Sequence, residues 1–209
     1  MKKRALGLAT VLTLCISMMT TVASGVERYS CNTEGCEIRA NENSYYYGPV
    51  MWAIDTKIID KEFSEDERCT RAEVITLLWR AAGRPEPLGT RHKFLDIDET
   101  EYYNKSVQWA FENGITVGTD YNTFSPNMNC TRVQAVEFIY RFAQTRGEKL
   151  SSMWACDVEA VDIPDWARES IVWCYTFGIT KGTSELTFSP NDECTKEQII
   201  TILYRYFIK

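Results

Sequence analysis

The feature that most constrains this chain is that it repeats itself. The words Trp109-Ala110, Gly114-Ile115-Thr116, Gly118-Thr119, Thr123-Phe124-Ser125-Pro126-Asn127 and Cys130-Thr131-Arg132 return 64 residues later. There they read Trp173-Cys174, Gly178-Ile179-Thr180, Gly182-Thr183, Thr187-Phe188-Ser189-Pro190-Asn191 and Cys194-Thr195-Lys196. A third, worn copy precedes both, with Trp52-Ala53, Ile58, Phe63-Ser64 and Cys69-Thr70-Arg71. Such units each carry an apolar face that one unit alone cannot bury, so the copies must pack on one another.

Each copy has the same local grammar. In the middle one, Val107, Ala110 and Phe111 fall at helical spacing and Gly114 follows as a C-cap. A polar loop holding Ser125-Pro126 then crosses to Thr131, and Gln134 stands three positions on, as Glu73 does after Thr70 and Gln198 after Thr195. That is an N-cap hydroxyl with its capping-box partner, so a second helix starts at a defined residue in every copy. The buried stripe of that helix is Val136, Ile139 and Tyr140, matched by Ile75, Leu78 and Trp79 and by Ile200, Leu203 and Tyr204. The predicted class is all-α, each unit being helix, long ordered loop, helix. Gly83 to Pro87 ends the first long helix and Gly147-Glu148-Lys149 the second, which sets the repeats at 44–87, 88–149 and 150–209. Lys57 and Lys61 stand where the later copies have their glycines, which predicts a different backbone path for that turn.

Ahead of the repeats, Lys2, Lys3 and Arg4 precede a charge-free run from Ala5 to Thr21, and Ala23 suits a cleavage site. Residues 1–23 are therefore expected to be a signal peptide, the run being short of the roughly 20 residues of a membrane span. Residues 24–43 are polar and carry Cys31 and Cys36, reading as a tail or a stapled cap. The net charge is −6, and loss of the basic leader makes it more acidic, which argues against general nucleic-acid binding.

Export permits disulfides, yet of eight cysteines Cys15 lies in the leader and an odd number remains. Cys69, Cys130 and Cys194 share one position, immediately before the N-cap Thr, and read as small buried apolar groups. Cys174 takes the place of Ala110 and is predicted to bridge Cys194 within one unit. Further pairings are Cys31 with Cys36, or one of these two with Cys69, and Cys69 with Cys156, leaving Cys130 unpaired. Scattered cysteines and a single histidine, His92 in a linker, give no metal site. Nucleotide-binding and nucleophile-elbow glycine words are absent, and the acids Asp96, Asp98 and Glu99 do not by themselves make a carboxylate pair. No cofactor and no enzymatic activity are expected.

The ordered set Phe94-x-Asp96, Tyr102-Tyr103, Val107-x-Trp109-Ala110, Gly114-Ile115-Thr116-x-Gly118, Thr123 to Asn127 and Thr131-Arg132 closely resembles an S-layer homology repeat, with three copies over about residues 44 to 209 and the first degenerate. The resemblance implies three repeats around a pseudo-threefold axis with the long helices in a central bundle. It also implies a noncovalent anchor at the bacterial cell surface or wall, binding anionic, often pyruvylated, secondary cell-wall polysaccharide in grooves between repeats.

The basic residue that meets an acidic ligand then falls on Arg71, Arg132 and Lys196, beside helix-start N–H groups. Arg132 has the best-preserved loop in its own repeat, Arg71 follows the acidic Ser64-Glu65-Asp66-Glu67, and Lys196 gives a point charge in place of a fork. Asp96 and Asp157 match the family's aromatic-x-Asp word, capping a helix, lining a groove, or both. Trp109 and Trp173 are core or groove-wall residues. A plainer reading leaves the two arginines lying over their own helices or paired with acids such as Asp96. A second function stays open beside the first: a secreted protein-interaction or assembly module whose grooves have lost their glycan.

Overall fold

The three long helices begin where a threonine closes a capping box. In the computed structural model, which describes residues 28–30, 37–39, 43–60, 63–89, 92–148 and 160–208, these helices are α2 (Arg71–Ala81), α4 (Arg132–Thr145) and α6 (Lys196–Phe207). The short helices are α1 (Tyr47–Asp55), α3 (Asn104–Glu112) and α5 (Arg168–Thr176), the last entered through a 3-10 turn at Asp165–Ala167. The Thr70 hydroxyl accepts from Glu73 N while the Glu73 carboxylate accepts from Thr70 N at 2.7 Å. Thr131 and Gln134 form the same reciprocal pair. At Thr195 the Gln198 side chain accepts from the backbone N at 3.2 Å, but the hydroxyl turns to Glu197.

All three short helices end alike. Gly114 and Gly178 take φ of 68° and 63°, and Lys57 takes 58°. The next residue folds back in each case: Ile58 N donates to Ala53 O, Ile115 N to Ala110 O and Ile179 N to Cys174 O, at 2.7 to 2.8 Å. Each isoleucine is buried. Lys57 thus follows the glycine path, contrary to the expectation of a different one, because burying the isoleucine fixes the turn and the lysine is forced into the left-handed region. Lys61 lies outside the described residues.

The repeats interlock rather than standing side by side. α3 packs on α2, α5 on α4 and α1 on α6, so every short helix lies against a long helix of another repeat. A buried hydroxyl pair, Thr76 with Ser106 at 2.9 Å, ties α2 to α3. α2 also touches α4 and α6. Where the long helices start, three backbone hydrogen bonds close a ring. Cys69 N donates to Cys194 O, Cys194 N to Cys130 O and Cys130 N to Cys69 O, at 3.0, 2.9 and 2.8 Å. Bridges Arg68 with Thr195, Thr70 with Asn129 and Thr131 with Glu193 flank it. Among the described residues one antiparallel pair lies outside the all-helical reading, β1 (Arg28–Ser30) and β2 (Glu37–Arg39), with Tyr29 opposite Ile38.

The ring also corrects the predicted bridge. Cys194 is a thiol held on the ring with Cys69 and Cys130, whereas Cys174 is buried in α5 and forms no disulfide with it. Cys69 likewise is a thiol, as is Cys130, which was expected to be unpaired. Cys31, Cys36 and Cys156 lie outside the described residues. Burial pushes all three ring thiols up, Cys194 to about 11, so they act as packing groups rather than nucleophiles.

Two outcomes follow from this architecture. Lys57→Gly removes a left-handed penalty of about 1 to 2 kcal/mol against a smaller unfolded-state entropy cost. It should raise stability by about 0.5 to 1 kcal/mol in denaturant melts, and a destabilised variant contradicts the reading. A chain ended at residue 150 loses α6, the helix that covers α1, and should lose its cooperative thermal transition; a sharp melt retained by the fragment contradicts the interlocked packing.

Candidate functional site

The site grows from one loop conformation used twice. In the second repeat the Asp96 carboxylate accepts from Phe124 N at 2.9 Å and Ser125 N at 2.7 Å, holding Ser125 at φ 60°. Ser125 is a non-glycine residue in the left-handed region, and the paired N–H contacts hold it there. The Ser125 hydroxyl meets Thr119 at 2.7 Å. Gly118 permits the close approach, since a Cβ there would lie 2.5 Å from Thr123 O and 2.6 Å from the Phe94 ring.

The bend aims the following carbonyls away from the loop's own repeat. Met128 O accepts from Arg71 N at 2.9 Å and Pro126 O from Ala72 N at 3.1 Å, so the first free N–H groups of α2 are satisfied by the loop of the next repeat. Arg71 completes the junction. Its Nε donates to Phe124 O at 2.9 Å, and its guanidinium carbon lies 4.8 Å from the Phe124 ring and 5.3 Å from Phe138. It is 3% exposed, and burial pulls its pKa below the usual guanidinium value.

The third repeat reproduces this against α4. Phe188 N and Ser189 N both donate to a carboxylate at 2.7 Å, and Ser189 has φ 58°. That carboxylate is Asp162, not Asp157, which lies outside the described residues. Asp157 follows Trp154-x-Cys156, where the aromatic is displaced from the spacing of Phe94-x-Asp96. The usable signal is Val161-Asp162-Ile163, which repeats Leu95-Asp96-Ile97. Burial works to raise the Asp162 carboxyl, but the Phe188 and Ser189 N–H groups and the charge of Arg132 outweigh it and hold it below the ordinary range. Asp192 O accepts from Arg132 N and Pro190 O from Val133 N, at 2.9 and 3.1 Å. Arg132 donates from Nε to Phe188 O at 2.9 Å and from Nη2 to Lys181 O at 3.0 Å, with its guanidinium 5.0 Å from the Phe188 ring. Arg132 is 7% exposed and lines a groove of about 530 Å³ with Arg68, Thr183, Asn191, Asp192, Glu193 and Gln198.

Two sequence-based expectations change here. The helix-start N–H groups expected beside a ligand are taken by loop carbonyls. Each basic residue also meets the loop of another repeat rather than its own. The acidic loop therefore faces Lys196 and not Arg71: Lys196 N donates to Glu67 O at 2.8 Å, and its Nζ lies 2.5 Å from the Glu67 carboxylate. The plainer reading changes as well: both arginines are buried clamps on another repeat's loop, and neither is ion-paired among the described residues.

Trp109 and Trp173 are not exposed platforms. Trp109 is 5% exposed against Phe142, with ring centroids 5.7 Å apart. Trp173 is 1% exposed between Tyr140 and Phe177, flooring a separate cleft of about 340 Å³ with Tyr206, Phe207 and Arg146 near the far ends of α4 and α6. Among the described residues no His, Cys, Asp and Glu side chains cluster to hold a metal ion, and no helix is long and apolar enough to cross a membrane.

Comparison with known proteins matches residues 93–136 and 160–200 to the S-layer homology domain, the two stretches that hold the repeated loop. The chain is similar to a surface-layer 125 kDa protein of Lysinibacillus sphaericus, 24% identical over 170 residues, covering 78% of this chain and 14% of that protein. A cellulosome-anchoring protein of Acetivibrio thermocellus is 22% identical over 147 residues, 68% of this chain and 33% of the relative. An endoglucanase of Bacillus sp. (strain KSM-635) is 28% identical over 127 residues, 61% of this chain and 13% of the enzyme. The chain thus spans a third or less of the length of these relatives. The stretches 93–136 and 160–200 are thus S-layer homology domains.

Proposed function

We propose that this chain is a noncovalent anchor at the bacterial surface, holding anionic secondary cell-wall polysaccharide, pyruvylated in the reading implied by its sequence, in grooves between repeats. Three repeats, at 44–87, 88–149 and 150–209, are arranged around a pseudo-threefold axis, the first being degenerate. The module is exported behind a leader over 1–23 and binds without catalysis. The relatives named for the surface layer and for cellulosome anchoring support surface attachment, and the endoglucanase aligns with this chain over a small share of its length.

One observation carries the reading. Arg132 presents a guanidinium fixed by two backbone carbonyls, over an aromatic face, at the wall of an open groove, and it is not ion-paired with a carboxylate among the described residues. A preorganised cation of that kind suits a ligand carboxylate, which gains a charge-assisted contact without ordering the side chain first. Arg71 offers the same group more deeply, between Phe124 and Phe138. Asp96 and Asp162 shape the grooves through the loops, and Trp109 and Trp173 support the walls from the core.

Arg132→Lys keeps the charge and loses the fork, and Arg132→Ala loses both. In calorimetry with purified wall polysaccharide, Arg132→Ala should weaken binding by about 1.5 to 3 kcal/mol, with Arg132→Lys between it and the parent. Chemical denaturation run in parallel should show Arg132→Ala destabilised too, because Phe188 O and Lys181 O lose their donor. Unchanged affinity in Arg132→Lys and in a folded Arg132→Ala removes this residue from the site. Retention of the parent on wall sacculi regardless of polysaccharide removal favours a protein-interaction role instead.

A further inference from the structure

The residue two places before each ring cysteine occupies one position at all three junctions. It is Met128 at the Arg71 junction, Asp192 at the Arg132 junction and Glu67 at the Lys196 junction, and in each case its carbonyl accepts from the backbone N of the basic residue, at 2.8 to 2.9 Å. Their side chains differ in what they return to that basic group. Met128 brings no charge. Asp192 lines the Arg132 groove without pairing with the guanidinium. Glu67, one methylene longer than Asp192, reaches back and pairs with Lys196 Nζ.

From this we infer that Glu67 is a built-in anion that fills the third groove, leaving two grooves for an external carboxylate. The inference rests on the anionic-ligand reading above. The Lys196 side chain is 17% exposed and Glu67 46%, so the pair is half-shielded and the ammonium has its counter-charge at hand. Other contacts hold the loop where this pairing forms. Tyr46 donates its hydroxyl to the Glu65 carboxylate at 2.6 Å, and Arg68 Nη1 donates to Glu193 O at 2.5 Å, fixing the residues on either side of Asp66-Glu67. Asp66 takes the left-handed turn, φ 59°, which in the other loops falls on Ser125 and Ser189. Moving the bend two places toward the ring cysteine accompanies the change from a pair of carbonyl caps to one carbonyl cap plus a carboxylate. An entering carboxylate must displace Glu67, whereas at Arg71 and Arg132 no carboxylate is ion-paired with the guanidinium among the described residues.

The test uses the full chain and two variants, Glu67→Gln and Glu67→Met, the second installing the residue found at the Arg71 junction. With pyruvate as a small carboxylate probe, NMR signals of the Lys196 side chain should saturate in both variants at concentrations roughly three- to tenfold below any response in the parent. With purified wall polysaccharide, calorimetry should show one more site per chain in the variants than in the parent, and adding Lys196→Gln should abolish the gain. If parent and variants respond alike to pyruvate, whether all bind or none does, the self-filled groove is wrong. If the pyruvate response appears but no protein binds polysaccharide, the anchoring reading fails and the role of Glu67 stands.

Discussion

Everything in this molecule hangs on how the long helices obtain acceptors for their first N–H groups. A helix start leaves donors that must be met, and here the threonine hydroxyl meets one while a loop from another repeat meets the next. The Ser-Pro-Asn loop can do this only because an aspartate holds it bent through two backbone N–H groups. Remove the bend and both the helix start and the contact between repeats are lost together. Secondary structure and assembly of the repeats are therefore one energetic event, which is why α1, α3 and α5 each find their packing surface on another repeat.

The arginines belong to the same arrangement. Arg71 and Arg132 donate to the phenylalanine carbonyl of the loop that caps their own helix, so a single side chain fastens the junction and carries the charge presented to the groove. Burial of a cation on an aromatic face is tolerable because its Nε–H is met by a carbonyl. Stability and recognition then draw on the same group, and a substitution there reports on both.

Much of this is legible in the amino-acid sequence. The capping boxes at Thr70 and Thr131, the Gly114 and Gly178 turns and the buried cysteine position all follow from residue type and spacing. What misled was whatever depends on which repeat touches which. Placing the acidic loop beside Arg71 assumes that a loop serves its own helix, and periodicity cannot say otherwise. The Cys174 to Cys194 bridge assumed proximity from membership of one unit, when Cys194 belongs to a ring shared by three. Asp157 lies outside the described residues, and the carboxylate that does in the third repeat what Asp96 does in the second is Asp162, which the apolar-Asp-Ile pattern marks. Lys57 shows a different failure, since burial of Ile58 decides the turn against the preference of the residue making it.

The ring of Cys69, Cys194 and Cys130 has a consequence for the history of such a chain. Tandem duplications are prone to gain or lose a unit, and open superhelical arrays tolerate this because every unit touches only the one before and the one after. A ring of backbone hydrogen bonds does not. With two members the same geometry cannot close, and a fourth would leave the centre too wide for small side chains to fill. The closed ring thus counts its members, so that unequal recombination between such similar segments yields products that fail at folding rather than longer or shorter working proteins.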